Sequence, residues 1–213
     1  MMTQIDTQAE ERKLVFPGEE IGDSSHRSGI GTYARDGKIY AAQTGRIDIR
    51  SGYINVKPFT GRYMPRQGDS IIGIVKDIGP NSWFVEINSP YKAMLHSSET
   101  PWKIDFGMTG HYLQVGDVIL AKIKQVDEIK NVNVTLKEHG LRKLDQGQIL
   151  EVDYTKVPRV IGKSGSMISI LKEKTGCKIF IGQNGIIWLE GELQGIKKAS
   201  QALDIIVGQV QRK

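Results

Sequence analysis

Val160-Ile161-Gly162-Lys163-Ser164-Gly165-Ser166-Met167-Ile168-Ser169 sets a glycine pair between two apolar flanks that suit helices. Two residues without a Cβ let the backbone come close to a phosphodiester, and a helix starting behind them offers unpaired N–H groups and the positive end of its dipole. Lys163 adds a mobile positive charge at that point. The pattern G-x-x-G alone is weak, and the chain has it three times. Gly107-Met108-Thr109-Gly110 lacks apolar periodicity on either side, and Gly182-Gln183-Asn184-Gly185 lies between two strand-like runs, as a hairpin loop does. Only Gly162 to Gly165 has helical flanks.

Just upstream, residues 149–153 alternate as a strand, and Pro158 sits well for the first turn of a short helix over 157–161. Downstream, Met167, Ile168, Ile170 and Leu171 make the apolar face of a helix that carries Lys172 and Lys174 near its end and stops at Gly176. Residues 177–181 and 186–190 read as strands, and Leu193, Ile196, Leu203, Ile206 or Val207, and Val210 recur at helical spacing. The order strand, helix, helix, strand, strand, helix, together with Ile168 and Thr175-Gly176-Cys177-Lys178-Ile179, resembles an α+β type I KH domain over residues 147–213. That resemblance implies a clamp on the backbone of a nucleic-acid single strand at Gly162, Lys163, Ser164 and Gly165, with Arg159 beside it. The bases would lie over a groove that Ile161, Ile168 and Ile179 can line. Two blander readings stay open: the isoleucines are core, and the glycines only shape a turn between helices. Substituting Asp at Gly162 or Gly165 is expected to weaken RNA retention without unfolding the domain.

Before this domain, residues 69–78, 82–87, 93–96, 117–127 and 132–137 read as five strands, the number in a small Greek-key barrel of the OB-fold. The interruption at 97–115, with Trp102, Phe106 and Tyr112, is long for a connection, and such loops often carry function. Gly73-Ile74-Val75-Lys76-Asp77-Ile78, Trp83-Phe84-Val85, Ala93-Met94-Leu95-His96-Ser97-Ser98-Glu99, Val126-Asp127 and Thr135-Leu136-Lys137 resemble the S1 RNA-binding domain, over residues 61–140. The resemblance implies that Phe84, His96 and Asp127 handle RNA. Phe84 as core and His96 as a satisfied polar residue is the alternative. Asn81 stands where that family usually has an aromatic and Asn131 where it has a basic residue, so this face should lean on charge more than on base stacking. Lys76, Lys122 and Lys130 are candidates for that charge, as are Lys92, Lys103 and Lys124. Residues 137–147, charged and with two glycines, read as a linker.

The N-terminal part, residues 14–60, breaks into short alternating runs at 14–21, 32–35, 38–42, 45–49 and 53–56, separated by Asp36-Gly37, Thr44-Gly45 and Ser51-Gly52. This is a small all-β domain, too small to bury much core alone and so expected to lean on a neighbour. Residues 22–31 look mobile, residues 1–13 read as a flexible tail, and Pro58 and Pro65 bracket the next boundary.

The whole is therefore a multidomain chain of 213 residues: a small β domain, a five-stranded S1 barrel and a KH domain. At 39% hydrophobic and 25% charged residues it is an ordinary soluble composition, and a net charge of +5 suits a polyanionic partner. One cysteine, Cys177, in a strand-like run excludes an intramolecular disulfide and a cysteine-rich zinc ribbon. No leader-like or membrane-spanning apolar run is present, so a cytoplasmic location is expected. This domain order, with Val15-Phe16-Pro17-Gly18-Glu19 and Gly31-Thr32-Tyr33-Ala34-Arg35-Asp36-Gly37, resembles the RNA-binding cap subunits of the archaeal RNA exosome. The resemblance implies a non-catalytic role without cofactor or metal. Its implied partners are single-stranded RNA, ring subunits of the RNase PH type that degrade RNA 3′ to 5′, and further copies of itself in a trimeric cap. A free-standing S1/KH factor of transcription or ribosome assembly, and a nuclease acting alone, are the competing classes.

Overall fold

Turn residues cut the N-terminal region into strands too short to fold singly, and they pair into two small sheets. The computed structural model describes residues 13–58, 61–208 and, for their backbone, 211–212. Apart from Lys13, the tail expected over residues 1–13 lies outside the described residues, as does Val210. The chain divides into two units, Met1–Gly61 and Arg62–Lys213.

In the first unit, β1 (Leu14–Val15), β2 (Glu20–Asp23), β3 (Arg27–Ser28), β4 (Thr32–Arg35), β5 (Lys38–Ala41), β6 (Gly45–Arg50) and β7 (Tyr53–Pro58) form sheets in the order β1-β6-β7-β3 and β2-β5-β4. Asp36-Gly37 and Ser51-Gly52 make the hairpin turns, all four residues at positive φ as a two-residue turn of matching twist requires. Val15, Ile39, Ala41, Ile47, Ile54 and Val56 form a core of this unit's own. Residues 22–31, expected to be mobile, instead contain β3, which runs parallel to β7, and the Gly29 N–H donates to the Ile54 carbonyl at 2.9 Å. A Cβ on Gly29 would meet Asn55 and one on Gly31 the Val56 carbonyl. These glycines serve close approach, not flexibility.

In the second unit, β8 (Ser70–Ile78), β9 (Ser82–Glu86), β10 (Ala93–His96), β11 (Val118–Val126) and β12 (Val132–Thr135) close on themselves: β8 pairs with β9, β9 with β10, β10 with β12, β12 with β11 and β11 with β8. Closure gives each of these strands a neighbour on both sides, except at the start of β8, which runs past β9 before Ile74. The inward residues Ile71, Val75, Trp83, Val85, Leu95, Ile119, Ile123 and Val134 are all buried, and the 97–115 interruption packs Trp102, Ile104, Tyr112 and Leu113 against this core. Leu113 is buried, and its carbonyl accepts from Trp83 Nε1 at 3.1 Å. Residues 137–147 are not a free linker, because β13 (Arg142–Leu144) pairs antiparallel with β11 and adds a sixth strand beside the barrel. Alternating charge there hides the single buried Leu144.

Next come β14 (Gln148–Glu151), α1 (Val157–Ile161), α2 (Ser166–Thr175), β15 (Lys178–Ile181), β16 (Ile186–Glu190) and α3 (Leu193–Val207). The sheet order is β15-β16-β14, all antiparallel, with β17 (Gln211–Arg212) pairing beyond β14. Pro158 lies in the first turn of α1, where its missing N–H costs nothing. Gly176 and Gly208, both left-handed, end α2 and α3. Leu150, Val160, Leu171, Cys177, Ile179, Leu189 and Leu203 close the core. The apolar face expected on α2 is narrower than its sequence suggests: Leu171 is buried and Ile168 half-buried, whereas Met167 and Ile170 are 36% and 51% exposed. Residues 168, 171 and 175 share the stripe facing the core, and 167 and 170 sit one position off it. Leu193, one of the apolar repeats of α3, is the first residue of that helix and is 83% exposed.

Candidate nucleic-acid interface

The loop between α1 and α2 owes its path to glycine at two places. Gly162 has φ 76°, Ser164 φ 51° and Gly165 φ 78°, left-handed values that side chains disfavour. Their constraints differ. A Cβ on Gly162 would stand 2.7 Å from Met167 Cβ and 2.8 Å from Met167 N, whereas one on Gly165 would meet nothing nearer than Ile168 Cγ2 at 3.9 Å. The expectation that Asp is tolerated at both glycines is corrected for Gly162: bulk there displaces the start of α2. The first N–H of α2, that of Ser166, donates to the Lys163 carbonyl, and no side chain caps the N–H groups that follow, so an anion can bind them. Lys163, Ser164 and Arg159 are exposed around this point. Ile161 and Ile168 are half-buried beside it, but Ile179 is 1% exposed, so its side chain belongs to the core and is unavailable to a base.

On the barrel, strand register sorts the other candidates. Phe84 pairs across to Met94 and to Asp77, and Met94 to Asn133, so Asp77, Phe84, Met94 and Asn133 form one row across four strands. Phe84 is 39% exposed, while Trp83 and Val85 on either side of it are buried, which places its ring on the outer face and not in the core. His96 lies at one end of this face, paired across to Ser82. The 127–131 turn lies at the other, level with the residue before Ala93, because β10 and β12 run parallel with Ala93 beside Val132. Four residues of strand therefore separate the two ends, about 13 Å. Phe84 stands between, and His96 and Asp127 are not brought together.

Several of these groups already have partners. Asp127 accepts from the Asn131 N–H and from Asn131 Nδ2, both at 2.7 Å, so Asn131 shapes the turn that carries Lys130 at φ 67°. His96 Nδ1 accepts from the Ser98 N–H at 3.1 Å, and its Nε2 lies 3.4 Å from Asn81 Nδ2. Lys122 pairs with Glu138 at 2.6 Å and Lys124 with Glu99 at 2.7 Å, and the Lys124 hydrogen bond holds the Glu99 carboxyl below the usual carboxylate range. Lys76 and Lys130 are exposed with no such pairing among the described residues. The barrel's available positive charge is therefore smaller than its lysine count suggests.

What the sequence did not disclose is how the barrel and the KH domain are joined. β8 pairs with β9 only from Ile74 onward, which leaves the main-chain groups of Ser70 and Ile72 on that side without a strand partner. The 182–185 turn fills the place. Gln183 exchanges two hydrogen bonds with Ser70, its N–H to the carbonyl at 2.9 Å and its Oε1 from the Ser70 N–H at 2.7 Å. Asn184, 0% exposed, donates from Nδ2 to the Ile72 carbonyl at 2.7 Å and the Ile87 carbonyl at 3.0 Å, and accepts from the Ile72 N–H at 3.3 Å. A primary amide carries both donors and acceptor, so one side chain serves as the missing piece of strand. Around it Ile72, Leu144, Ile186 and Trp188 bury a shared apolar cluster, worth about 1.5–3 kcal/mol for each large side chain removed from water. Tyr63, whose hydroxyl donates to Asp69 at 2.6 Å, meets Tyr154 edge-on at 6.0 Å. Burial and that carboxylate push the Tyr63 phenol well above the usual tyrosine range.

Comparison with known proteins agrees with this layout. Family profiles match at residues 147–204 for the KH domain, 14–50 for the N-terminal region of the exosome complex exonuclease RRP4, and 62–109 for the S1 domain of RRP4. The exosome complex component Rrp4 of Thermoplasma volcanium is 44% identical over 196 residues, which is 92% of this chain and 83% of the relative. That of Methanosarcina barkeri is 41% identical over 202 residues, 95% of this chain and 78% of the relative. A crystal structure of a candidate exosome complex RNA-binding protein superposes with a TM-score of 0.64 at 38% identity, covering 70% of this chain and 87% of that one.

Proposed function

Because the chain belongs to the Rrp4 family of exosome complex components, we propose that it is the complex's non-catalytic RNA-binding subunit, which captures single-stranded RNA and passes it on for degradation. In this reading three copies form a cap in the cytoplasm on a ring of RNase PH-type subunits, and those ring subunits cut the RNA from its 3′ end. The observation that carries the reading is the KH loop itself. An uncapped helix N-terminus, two left-handed glycines and the exposed Lys163 meet at one point, an arrangement suited to a phosphodiester and to no bond-breaking chemistry of its own. The outer face of the barrel, with Phe84 at its centre and Lys76 and Lys130 near it, offers a second stretch for the same strand.

The test is to incubate the purified chain with labelled single-stranded RNA, with and without phosphate and divalent metal. Retention without shortening is expected, and degradation by the isolated chain would overturn the non-catalytic reading. Copurification with ring subunits separates an exosome component from a free-standing factor. Binding should weaken with salt, with a logarithmic slope of about 0.7 for each phosphate contacted.

A further inference from the structure

We infer that Phe106, at the tip of the long 97–115 loop, is a stacking platform for an RNA base at the His96 end of the barrel face. The inference rests on the RNA-binding function proposed above. Phe106 is 79% exposed. A single exposed apolar side chain is ordinary on a protein surface, and exposure alone would mean nothing. What sets this residue apart is how firmly its backbone is held. The Met108 N–H donates to the Asp105 carbonyl at 3.0 Å, closing a turn with Phe106 and Gly107 at its centre, and Gly107 has the φ of 81° that the third position of a type II turn needs.

That turn is fastened to the barrel rather than left to swing. The Gly107 N–H donates to the Pro80 carbonyl at 2.9 Å, and Thr109 Oγ1, in a residue only 2% exposed, donates to the Gly79 carbonyl at 2.7 Å. The next residue, Asn81, is linked to His96 and accepts from Ser97 Oγ at 2.8 Å. The loop therefore delivers an open aromatic ring beside the end of the face whose centre is Phe84. From Asn81 to Phe84 is three residues of extended chain, about 10 Å, so the two rings serve different bases.

The chemistry of the surroundings selects the occupant. Asp105 precedes Phe106, and Asn81, itself linked to His96 and Ser97, follows the Pro80 whose carbonyl holds Gly107, so hydrogen-bonding groups lie at the foot of the turn beside the exposed Met108. A nucleobase has a flat π face for the ring and polar edges for the amide, imidazole and hydroxyl groups nearby. Ile129, 80% exposed at the opposite end of the face, has no such ring to offer.

The experiment uses the full chain with Phe106→Ala and Phe106→Trp, titrated against labelled oligouridylate and an abasic ribose-phosphate strand of the same length. Phe106→Ala should weaken oligouridylate binding by about 5- to 150-fold. It should leave binding to the abasic strand and the unfolding midpoint unchanged, and Phe106→Trp should keep the affinity and show fluorescence quenching by the bases. Equal affinity of wild type and Phe106→Ala for oligouridylate overturns the inference while leaving the RNA-binding function intact. Equal losses on both strands overturn it too, since the ring would then not be acting on a base. Failure of the wild type to bind either strand overturns the proposed function and this inference with it.

Discussion

Gly162-Lys163-Ser164-Gly165 and Gly182-Gln183-Asn184-Gly185 share one sequence pattern within one domain, and the fold uses them in opposite ways. In the first, Lys163 and Ser164 are exposed and the helix behind the loop has no side-chain cap. In the second, Asn184 is 0% exposed and makes three hydrogen bonds to the main chain of the barrel. The glycines do similar work in both: φ 76° and 78° in one, and in the other φ 82° at Gly185 together with a Gly182 whose Cβ would stand 2.8 Å from the Ile72 nitrogen. The residues between the glycines decide. Lys-Ser presents charge and a hydroxyl to solvent, and Gln-Asn presents two amides that match an unpaired strand edge. Glycine spacing therefore reports a tight turn, and the residues it displays report the purpose.

This contrast can be broken by substitution, and the largest effect is expected at the buried loop. Asn184→Leu keeps the volume but leaves the Ile72 N–H and the Ile72 and Ile87 carbonyls unpaired. At about 1–3 kcal/mol for each unsatisfied buried group, less some relaxation, stability should fall by about 3–5 kcal/mol. Denaturant melts should then show barrel and KH domain unfolding in separate steps. A single transition within about 1 kcal/mol of the parent would reduce the clasp to an ordinary hairpin loop.

Gly162→Ala comes next. It forces both a left-handed alanine and a clash with Met167, so a loss of about 1–3 kcal/mol is expected, visible as faster amide exchange in α1 and α2 with the barrel unaffected. The smallest effect on stability belongs to Lys163→Ala, within about 0.5 kcal/mol of the parent. Its mark is electrostatic: the salt dependence of RNA binding should lose about 0.7 from its logarithmic slope, the share of one phosphate contact. An unchanged slope would remove Lys163 from the strand's path.

The same contrast shows what a sequence can and cannot disclose. The order of elements in the KH domain was legible because its signals are local: Pro158 in a first helical turn, Gly176 at a helix end, alternation through residues 177–181. The barrel strands were legible for the same reason. The partners of Asn184 lie 97 and 112 residues away, and no periodicity reports them. The short strand β13 escaped because one buried leucine among charges has no period. Of the candidate site, Phe84 came from the S1 resemblance with a place in the core left open, and the burial of Trp83 and Val85 on either side is what puts it on the outer face. The Asp127–Asn131 contact is local, four residues apart, but reading Asn131 only as a missing basic residue hides it, whereas the Lys122–Glu138 pair needs β11 and β12 to pair and was not legible.

The central claim is that the exposed glycine loop grips RNA while the buried one only holds the domains together, and Gly165→Asp tests it most directly. Gly165 has room for a side chain, and Asp tolerates a left-handed backbone, so the fold should survive with an unfolding midpoint lowered by no more than about 5 °C. RNA affinity, measured on the same preparation, should fall about tenfold as the carboxylate faces the phosphates. A folded Gly165→Asp protein that binds RNA as tightly as the parent would contradict the account.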